Sequence, residues 1–301
     1  MIFKGSAVAL ITPFNENNEV DFEKLGELVE YHIENNTDAI VACGTTGEAS
    51  TLDDAEHLAV IKYVIDKVNK RIPVIAGTGG NDTQHSIYMS QEAEKFGVDG
   101  LLIITPYYNK GNKSGIKKHF EAIAASVKTP IIMYNVPGRT CVNMSPALVA
   151  ELAKIDNIVA IKEASGDLAQ VAEIARLVPD DFAIYSGNDD SILPLLSLGG
   201  SGVISVLANI CPQETHDLVY KFFEGDLKGS RDLQLGMKPL IDALFIEVNP
   251  VPVKTAMNLL GFNVGDLRLP LAEMQEDNIE VLKQELINWG FELKGLTSLE
   301  F

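Results

Sequence analysis

Short apolar runs rich in β-branched residues alternate with longer amphipathic stretches along most of the chain, and this unit occurs eight times. Each run is only a few residues long and carries almost no polar positions, which is typical of parallel strands covered on both faces. The predicted strands are 7–11, 39–42, 73–76, 100–105, 130–135, 158–162, 182–186 and 202–206.

The stretches between these runs have the periodicity of amphipathic helices and begin at Asp or Ser, residue types that cap helix N-termini. The clearest helices are 21–35, 53–69, 82–96 and 145–154. Eight strand–helix units, each about 25 to 30 residues long, predict an α/β fold whose strands close into a (β/α)8 TIM barrel. An open doubly wound sheet is the alternative, but the glycine-rich fingerprint expected after its first strand is missing.

The strand pattern stops after Glu224, and the remaining sequence is helical in character, with predicted helices at 231–245, 252–260 and 276–289. We therefore expect a catalytic barrel over 1–224 and a C-terminal helical region over 225–301. This region would pack on the barrel or on a neighbouring subunit. The last residues, 295–301, are expected to be loosely ordered.

Acidic residues outnumber basic ones by 42 to 24, which gives a formal charge of −18 at pH 7. This charge repels nucleic-acid phosphates and anionic lipids, so neither nucleic acid nor membrane is an expected partner. No apolar segment approaches the roughly 18 residues needed to cross a bilayer, and the N-terminus lacks the pattern of a secretion signal. Cys43, Cys141 and Cys211 are far apart and odd in number, which fits reduced thiols in a cytoplasmic protein.

Lys162 is the sharpest chemical feature, because reactive groups of a TIM barrel lie at the carboxyl ends of its strands. Strand alternation places Lys162 on the same face as Ile158 and Ala160, toward the barrel axis. Desolvation there would lower the pKa of the amine and favour its attack on a carbonyl. The alternative is that Lys162 reaches solvent or pairs with Glu163.

Other strand ends carry polar groups that should converge on the same pocket. Tyr134 can transfer protons, Thr45 and Thr46 lie in a glycine-flanked turn suited to a carboxylate, and Arg139 offers a planar guanidinium to a second carboxylate. Packing, capping and an ordinary exposed arginine are the alternatives.

No metal site is predicted from the spacing of the histidines, which form neither HxH nor HExxH. Asp189 and Asp190 follow the seventh strand and could bind Mg²⁺. Since no third acidic ligand is near them in sequence, a helix cap is the favoured interpretation.

Four motifs at strand ends form a characteristic set: GTTGEAST at 44–51, ITPYYN at 104–109, YNVPGRT at 134–140 and IKEASGD at 161–167. Further matching segments are GSAVALITPF at 5–14, GGSGVISV at 199–206, NPVPVK at 249–254 and LRLPL at 267–271. Together they cover almost the full chain and resemble the dihydrodipicolinate synthase family. That family belongs to the N-acetylneuraminate lyase superfamily of class I pyruvate aldolases.

The resemblance implies a lyase that condenses pyruvate with L-aspartate 4-semialdehyde in lysine and diaminopimelate biosynthesis, without an external cofactor. Lys162 would form a Schiff base with pyruvate. Tyr134, Thr45 and Tyr108 would form a proton relay, with Tyr108 reaching into the adjacent subunit. A homo-oligomer is therefore implied, most often a tetramer built as a dimer of dimers.

The resemblance also implies binding roles. Thr46 would hold the pyruvate carboxylate, Arg139 the carboxylate of the semialdehyde, and backbone groups of Gly187 and Ile204 would line the pyruvate site. The positions that match the family's allosteric lysine pocket are Ala49, Asp54, His57, Asn81, His85 and Tyr107.

This pocket is predicted to be degenerate. In lysine-sensitive relatives a glutamate stands at the position of His85, and serine and histidine are common at those of Ala49 and Asp54. A histidine cannot supply the lost anion, so weak or absent lysine inhibition is expected. Asp54 could partly compensate by offering a carboxylate from another direction.

Three other functions are alternatives to this one. A related N-acetylneuraminate lyase or 2-keto-3-deoxy sugar acid aldolase would share the lysine and tyrosine, but Arg139 and the Thr45–Thr46 pair argue against it. A metal-dependent barrel hydrolase or class II aldolase needs clustered His and carboxylate ligands, which the sequence lacks. A non-catalytic binding or scaffold protein could retain the same fold.

Overall fold

Eight parallel strands close into a barrel in the computed structural model, which describes residues 1–294. The strands are β1 (Gly5–Ala9), β2 (Ala39–Ala42), β3 (Val74–Gly77), β4 (Gly100–Ile104), β5 (Ile131–Asn135), β6 (Ile158–Glu163), β7 (Ala183–Ser186) and β8 (Gly202–Ser205). They pair in chain order, and β8 pairs with β1 to complete the ring. The predicted TIM barrel is confirmed, although β1 begins two residues before its predicted start. The prediction for 295–301 lies outside the described residues.

Helices surround the barrel and alternate with its strands. They are α1 (Phe22–Glu34), α2 (Asp54–Val68), α3 (Thr83–Lys95), α4 (Lys113–Ser126), α5 (Pro137–Thr140), α6 (Pro146–Leu152), α7 (Leu168–Leu177), α8 (Ile192–Ser197) and α9 (Pro212–Phe223). The predicted N-caps are confirmed: side chains of Asp21, Asp53, Asp82 and Ser145 each accept a backbone N–H of the first turn. These side chains satisfy donors that a helix cannot pair internally, and so fix where each helix begins.

The C-terminal region is helical, as predicted, with helices α10 (Leu227–Gly236), α11 (Lys238–Leu244), α12 (Val251–Leu259) and α13 (Glu276–Trp289). The single helix predicted at 231–245 is wrong. Asp226 caps an earlier start, and the helix breaks at Met237. Pro239 explains the break, because it has no N–H to continue the hydrogen-bond ladder.

Buried apolar side chains of the C-terminal helices, including Leu240, Leu282 and Leu286, belong to the core cluster that also packs between the barrel and its helices. The C-terminal region is thus continuous with the barrel's outer core. The domain boundary at 224/225 stays a prediction.

A second apolar cluster fills the inside of the barrel. Alanines contribute much of it and leave room for larger groups: Ala7, Ala9, Ala39, Ala160 and Ala183. Phe3 and Tyr185 fill the end at which the strands begin, with their rings stacked at 4.2 Å. The Tyr185 hydroxyl donates to the carbonyl oxygen of Phe3 at 2.6 Å. Polar chemistry is therefore confined to the opposite end.

The strand carrying Lys162 departs from simple alternation. Ala160 lies inside the barrel, as predicted, but Ile158 packs in the outer cluster. A register shift between Ile131 and Ile132 explains this, because it pairs Ile158 and then Ala160 with successive residues of β5. The prediction that Ile158 shares the face of Lys162 is wrong, while the inward direction of Lys162 is retained.

Across residues 1–294, no helix is both long and apolar enough to cross a membrane. The three cysteines are free thiols, of which Cys43 and Cys211 are buried and Cys141 is exposed.

Candidate active site

Lys162 lies inside the barrel with only 6% of its surface exposed. It is in register with Tyr134 of β5, and its Nζ lies 4.4 Å from the centre of the Tyr134 ring. Burial lowers the pKa of Lys162 to about 8; the negative charge of Asp189 opposes this shift and the positive charge of Arg139 adds to it. Enough neutral amine is therefore present near neutral pH for attack on a ketone.

Glu163 is not the partner of Lys162. Its Oε2 accepts a hydrogen bond from Asn135 Nδ2 at 2.9 Å, and its Oε1 accepts one from the Ser165 N–H at 2.7 Å. Successive strand residues point to opposite faces, so Glu163 lies on the outer side of the strand. The alternative in which Glu163 neutralises Lys162, or Lys162 reaches solvent, is wrong.

Tyr134 provides a phenol directly beside the amine and is itself buried. Burial raises the pKa of Tyr134, while the positive charge of Arg139 and the adjacent Thr45 hydroxyl act in the opposite direction. Tyr134, Thr45 and Arg139 line a common cavity of about 450 Å³. The structure thus places a hydroxyl, a phenol and a cation in one cavity, with the Lys162 amine against the ring of Tyr134 although Lys162 does not line that cavity.

The 44–48 turn follows β2 and presents its two threonines differently. Thr45 lines the cavity, whereas Thr46 is buried and its Oγ1 accepts a hydrogen bond from Asn249 Nδ2 at 2.9 Å. The carbonyl oxygen of Asn249 accepts a hydrogen bond from Arg139 Nη2 at 2.9 Å. Asn249 therefore links two predicted binding residues. Its place in the motif at 249–254 was the only sequence signal for it.

Gly187 is a glycine because Lys162 passes beside it. A Cβ at this position would lie 2.6 Å from the Cβ of Ala164 and 3.1 Å from the Cε of Lys162. The Gly187 N–H donates to the carbonyl oxygen of Glu163 at 2.8 Å, which leaves its own carbonyl for other partners. Ile204 is buried in the interior cluster of the barrel.

Asp189 caps neither of the helical turns that follow it, so the sequence interpretation of a helix cap is wrong. Its Oδ2 accepts the backbone N–H groups of Val206 and Leu207, each at 3.0 Å, and fixes the end of β8. Burial raises the pKa of this carboxyl. Within residues 1–294 no group of three or more His, Cys, Asp and Glu side chains is arranged to hold a metal ion.

Tyr108 does not join the other residues within one chain. Its surface is 89% exposed, and it adopts a left-handed backbone with φ of 69°. The expectation that all the polar strand ends converge in one pocket is therefore wrong for Tyr108, although the preceding Tyr107 lines the cavity.

Five of the six candidate allosteric residues line the same cavity as Thr45 and Tyr134: Ala49, Asp54, His57, His85 and Tyr107. His85 Nε2 lies 2.9 Å from Asp54 Oδ1, and His57 Nε2 lies 2.7 Å from the carbonyl oxygen of Gly77. The lining does not include Asn81, whose carbonyl oxygen accepts a hydrogen bond from Asn109.

Comparison with known proteins agrees with this architecture. The model of the dihydrodipicolinate synthetase family matches residues 2–288. The 4-hydroxy-tetrahydrodipicolinate synthase of Caldicellulosiruptor bescii is 58% identical over 97% of this chain and 99% of that protein.

Solved structures give the same result. The dihydrodipicolinate synthase of Aquifex aeolicus superimposes with a TM-score of 0.95 at 44% identity, over 97% of this chain and all of that one. The chloride-inhibited enzyme of Acinetobacter baumannii, solved in complex with pyruvate, gives a TM-score of 0.94 at 42% identity over 97% of this chain and 100% of that chain. Since the family model and the relatives both cover nearly the whole chain, this chain belongs to the dihydrodipicolinate synthetase family.

Proposed function

We propose that the chain catalyses the 4-hydroxy-tetrahydrodipicolinate synthase reaction, the condensation of pyruvate with L-aspartate 4-semialdehyde, in lysine and diaminopimelate biosynthesis. One observation carries the chemistry: the buried amine of Lys162, with a pKa lowered to about 8, lies against the ring of Tyr134. Pyruvate supplies the ketone that such an amine attacks. The relatives of the family that share more than half of this sequence carry the same activity in their names.

The neutral amine of Lys162 adds to the ketone carbon of pyruvate, and the carbinolamine loses water to give an imine. Loss of a methyl proton converts the imine into an enamine, whose carbon adds to the aldehyde. The α-amine of the semialdehyde then attacks the imine carbon, closes the ring and releases Lys162. Every step moves protons, and Tyr134 beside the Thr45 hydroxyl is suited to give and take them.

Two anionic ends of the substrates require fixed partners. Thr46 holds the pyruvate carboxylate from the 44–48 turn, together with backbone groups of Gly187 and Ile204. Arg139 binds the carboxylate of the semialdehyde, and its hydrogen bond to the Asn249 carbonyl orients the guanidinium at the cavity. A planar guanidinium suits a carboxylate because it can donate two parallel hydrogen bonds.

Tyr108 completes the relay of a neighbouring copy in a homo-oligomer, for which a dimer of dimers is the expected form. Its exposure supports this role, since a tyrosine 89% exposed in one chain is available to a second one. Mixing Tyr108→Phe with Lys162→Ala subunits should restore part of the activity that each variant lacks. Confirmed mixed dimers that remain inactive would contradict the shared site.

The central test is reduction with borohydride in the presence of pyruvate, followed by mass spectrometry of peptides. An imine on Lys162 becomes a stable secondary amine, so the adduct should map to Lys162. Turnover with L-aspartate 4-semialdehyde should greatly exceed cleavage of N-acetylneuraminate, the substrate of the related lyases. An unmodified Lys162 would refute the mechanism, and preferred N-acetylneuraminate cleavage would refute the substrate.

A further inference from the structure

An ion pair joins the C-terminal region to the 44–48 turn and is entirely buried. Lys254 of α12 donates from Nζ to Glu48 Oε1 at 2.8 Å, and the two side chains are 1% and 0% exposed. Lys254 Nζ also donates to the carbonyl oxygens of Thr12 and Asp266, at 3.1 and 2.7 Å. The second carboxylate oxygen of Glu48 accepts the backbone N–H of Arg268 at 3.0 Å. All three donors of the Lys254 ammonium and both oxygens of the Glu48 carboxylate are thus hydrogen-bonded.

Stability alone does not account for such a pair. Removing two charges from water costs about as much as their attraction returns, so apolar residues of similar volume often serve stability equally well. Burial lowers the pKa of Lys254 even though the charge of Glu48 opposes that shift. A contribution to the free energy of unfolding is therefore a weak explanation for the pair.

Glu48 occupies a position where its backbone is strained. Its φ and ψ are 53° and 35°, a left-handed conformation that glycine adopts freely and that costs other residues about 1 kcal/mol or more. A glycine would relieve this strain. The presence of a glutamate instead indicates that its carboxylate is needed at this point.

The strained residue ends the turn that carries Thr45 and Thr46. The Glu48 N–H donates to the carbonyl oxygen of Thr45 at 3.1 Å, and Gly47 N–H donates to that of Gly44 at 3.1 Å. Thr12, whose own carbonyl accepts from Lys254, donates its hydroxyl to the carbonyl oxygen of Gly47 at 2.7 Å. Any movement of Glu48 is therefore transmitted directly to Thr45.

We propose that Lys254 and Glu48 are positioning residues for the synthase reaction, because their ion pair fixes the 44–48 turn and so keeps Thr45 beside Tyr134. This inference rests on the proposed function. Neither residue touches the reacting atoms; both act through the turn. The C-terminal helical region thereby contributes to catalysis without lining the pocket next to Lys162.

Three variants test the proposal: Lys254→Met, Glu48→Gln and the double variant. Lys254→Met leaves a buried carboxylate without its counter-charge and should lower the melting temperature. Glu48→Gln should fold, because a buried lysine can lose its proton. The double variant removes both charges and should regain much of the lost melting temperature. Lys238→Met is the matched control, because it removes a lysine from an exposed pair with Asp242 in the same region.

Rates are measured well below the melting temperature of each variant. Displacement of a catalytic group by about 1 Å can cost roughly 100-fold in rate, so kcat should fall by about that factor in all three variants and stay unchanged in the control. The decisive readout is the double variant, whose melting temperature should recover while its kcat stays low. The pH profile of kcat should also shift in its alkaline limb, because Tyr134 loses the neighbouring hydroxyl that lowers its pKa.

A folded double variant or Glu48→Gln variant with kcat within about threefold of the parent would overturn the proposal. Recovery of kcat together with the melting temperature would do the same, since it assigns the pair a purely structural role. Borohydride trapping of pyruvate on Lys162 in the parent distinguishes failure of the proposed function from failure of the positioning role. If the parent forms no adduct, the proposed function fails. If the parent forms it and the variants turn over normally, only the positioning role fails.

Discussion

Two lysines are buried in this molecule, and their surroundings are opposite in kind. Lys254 is 1% exposed and donates to a carboxylate and two carbonyl oxygens. Lys162 is 6% exposed, and among residues 1–294 its Nζ makes no hydrogen bond or salt bridge; the aromatic ring of Tyr134 is its neighbour. Both environments exclude water from the amine, but only that of Lys254 replaces water with hydrogen-bond acceptors of the protein.

The comparison shows that burial by itself does not make a lysine reactive. Burial lowers the pKa of both amines, yet at Lys254 the carboxylate of Glu48 opposes this shift and accepts a hydrogen bond from the amine. At Lys162 the negative charge that opposes the shift is that of Asp189, whose Oδ2 already accepts two backbone N–H groups. An amine without acceptors is the one available to a ketone.

Replacing Lys162 gives the largest expected effect. Lys162→Ala should lower kcat on the order of 10⁴-fold or more, since the covalent step is lost. The chain should stay folded, because among residues 1–294 Lys162 Nζ makes no hydrogen bond or salt bridge and the buried Asp189 keeps its two backbone N–H donors, as circular dichroism can check. Measurable turnover beyond trace levels, or a reduced pyruvate adduct on Lys254, would break the distinction between the two lysines.

Crowding Lys162 without removing it should have a smaller effect. In Gly187→Ala the added methyl would lie 2.6 Å from the Cβ of Ala164 and 3.1 Å from the Cε of Lys162, so the Lys162 side chain or the surrounding backbone must shift. A loss of about 100-fold in kcat/KM is expected for a displacement near 1 Å. Gly115→Ala in α4 is the control, since its methyl would meet nothing closer than 3.5 Å. Equal activity of the two variants would show that the position of Lys162 is not tightly set.

The pH dependence of trapping sharpens the comparison further. With a pKa of about 8, the neutral fraction of Lys162 rises roughly tenfold per pH unit below 8 and then levels off. The rate of trapping with pyruvate and cyanoborohydride should therefore rise from pH 6 to pH 8 and flatten by pH 9. Continued increase up to pH 10 would show an ordinary solvated lysine.

The smallest expected effect concerns free L-lysine as an inhibitor. The ammonium group of a bound L-lysine needs an unoccupied carboxylate, as the Lys254 ammonium has in Glu48. In the candidate allosteric cavity, the Oδ1 of Asp54 is already 2.9 Å from the Nε2 of His85. We expect half-inhibition above about 1 mM at saturating pyruvate, an affinity weaker than roughly −4 kcal/mol. His85→Glu is the informative variant, because it restores an anion at that position. Inhibition of the parent below 1 mM would contradict the prediction.

Local rules in the sequence predicted the fold well. Strand runs and capping residues lie within short windows, and Asp21, Asp53, Asp82 and Ser145 begin their helices where the sequence indicated. Lys162 could be singled out because a charged residue at the end of an apolar strand is unusual. Apart from the local helix break at Met237, the failures came where two distant segments decide the outcome. Ile158 changes face through a register shift against β5, which no single strand reveals.

The supporting contacts of the site were the hardest to predict. Lys254 and Glu48 are 206 positions apart, and Asn249 and Thr46 are 203 apart. Neither segment contains a sequence pattern that indicates its contact with the other, since a lysine in an amphipathic helix is normally solvated. Tyr108 is a separate case: one chain leaves it exposed, and the role proposed for it requires a second copy.

The stacked rings of Phe3 and Tyr185 have a kinetic consequence. They fill the barrel at the end where its strands begin, so in the proposed reaction both reactants and products use the opposite end. The water expelled when the imine forms must leave by that end before the aldehyde enters. Water, the first product, thus leaves before the second substrate binds. Initial-rate plots at several fixed pyruvate concentrations should therefore give parallel double-reciprocal lines.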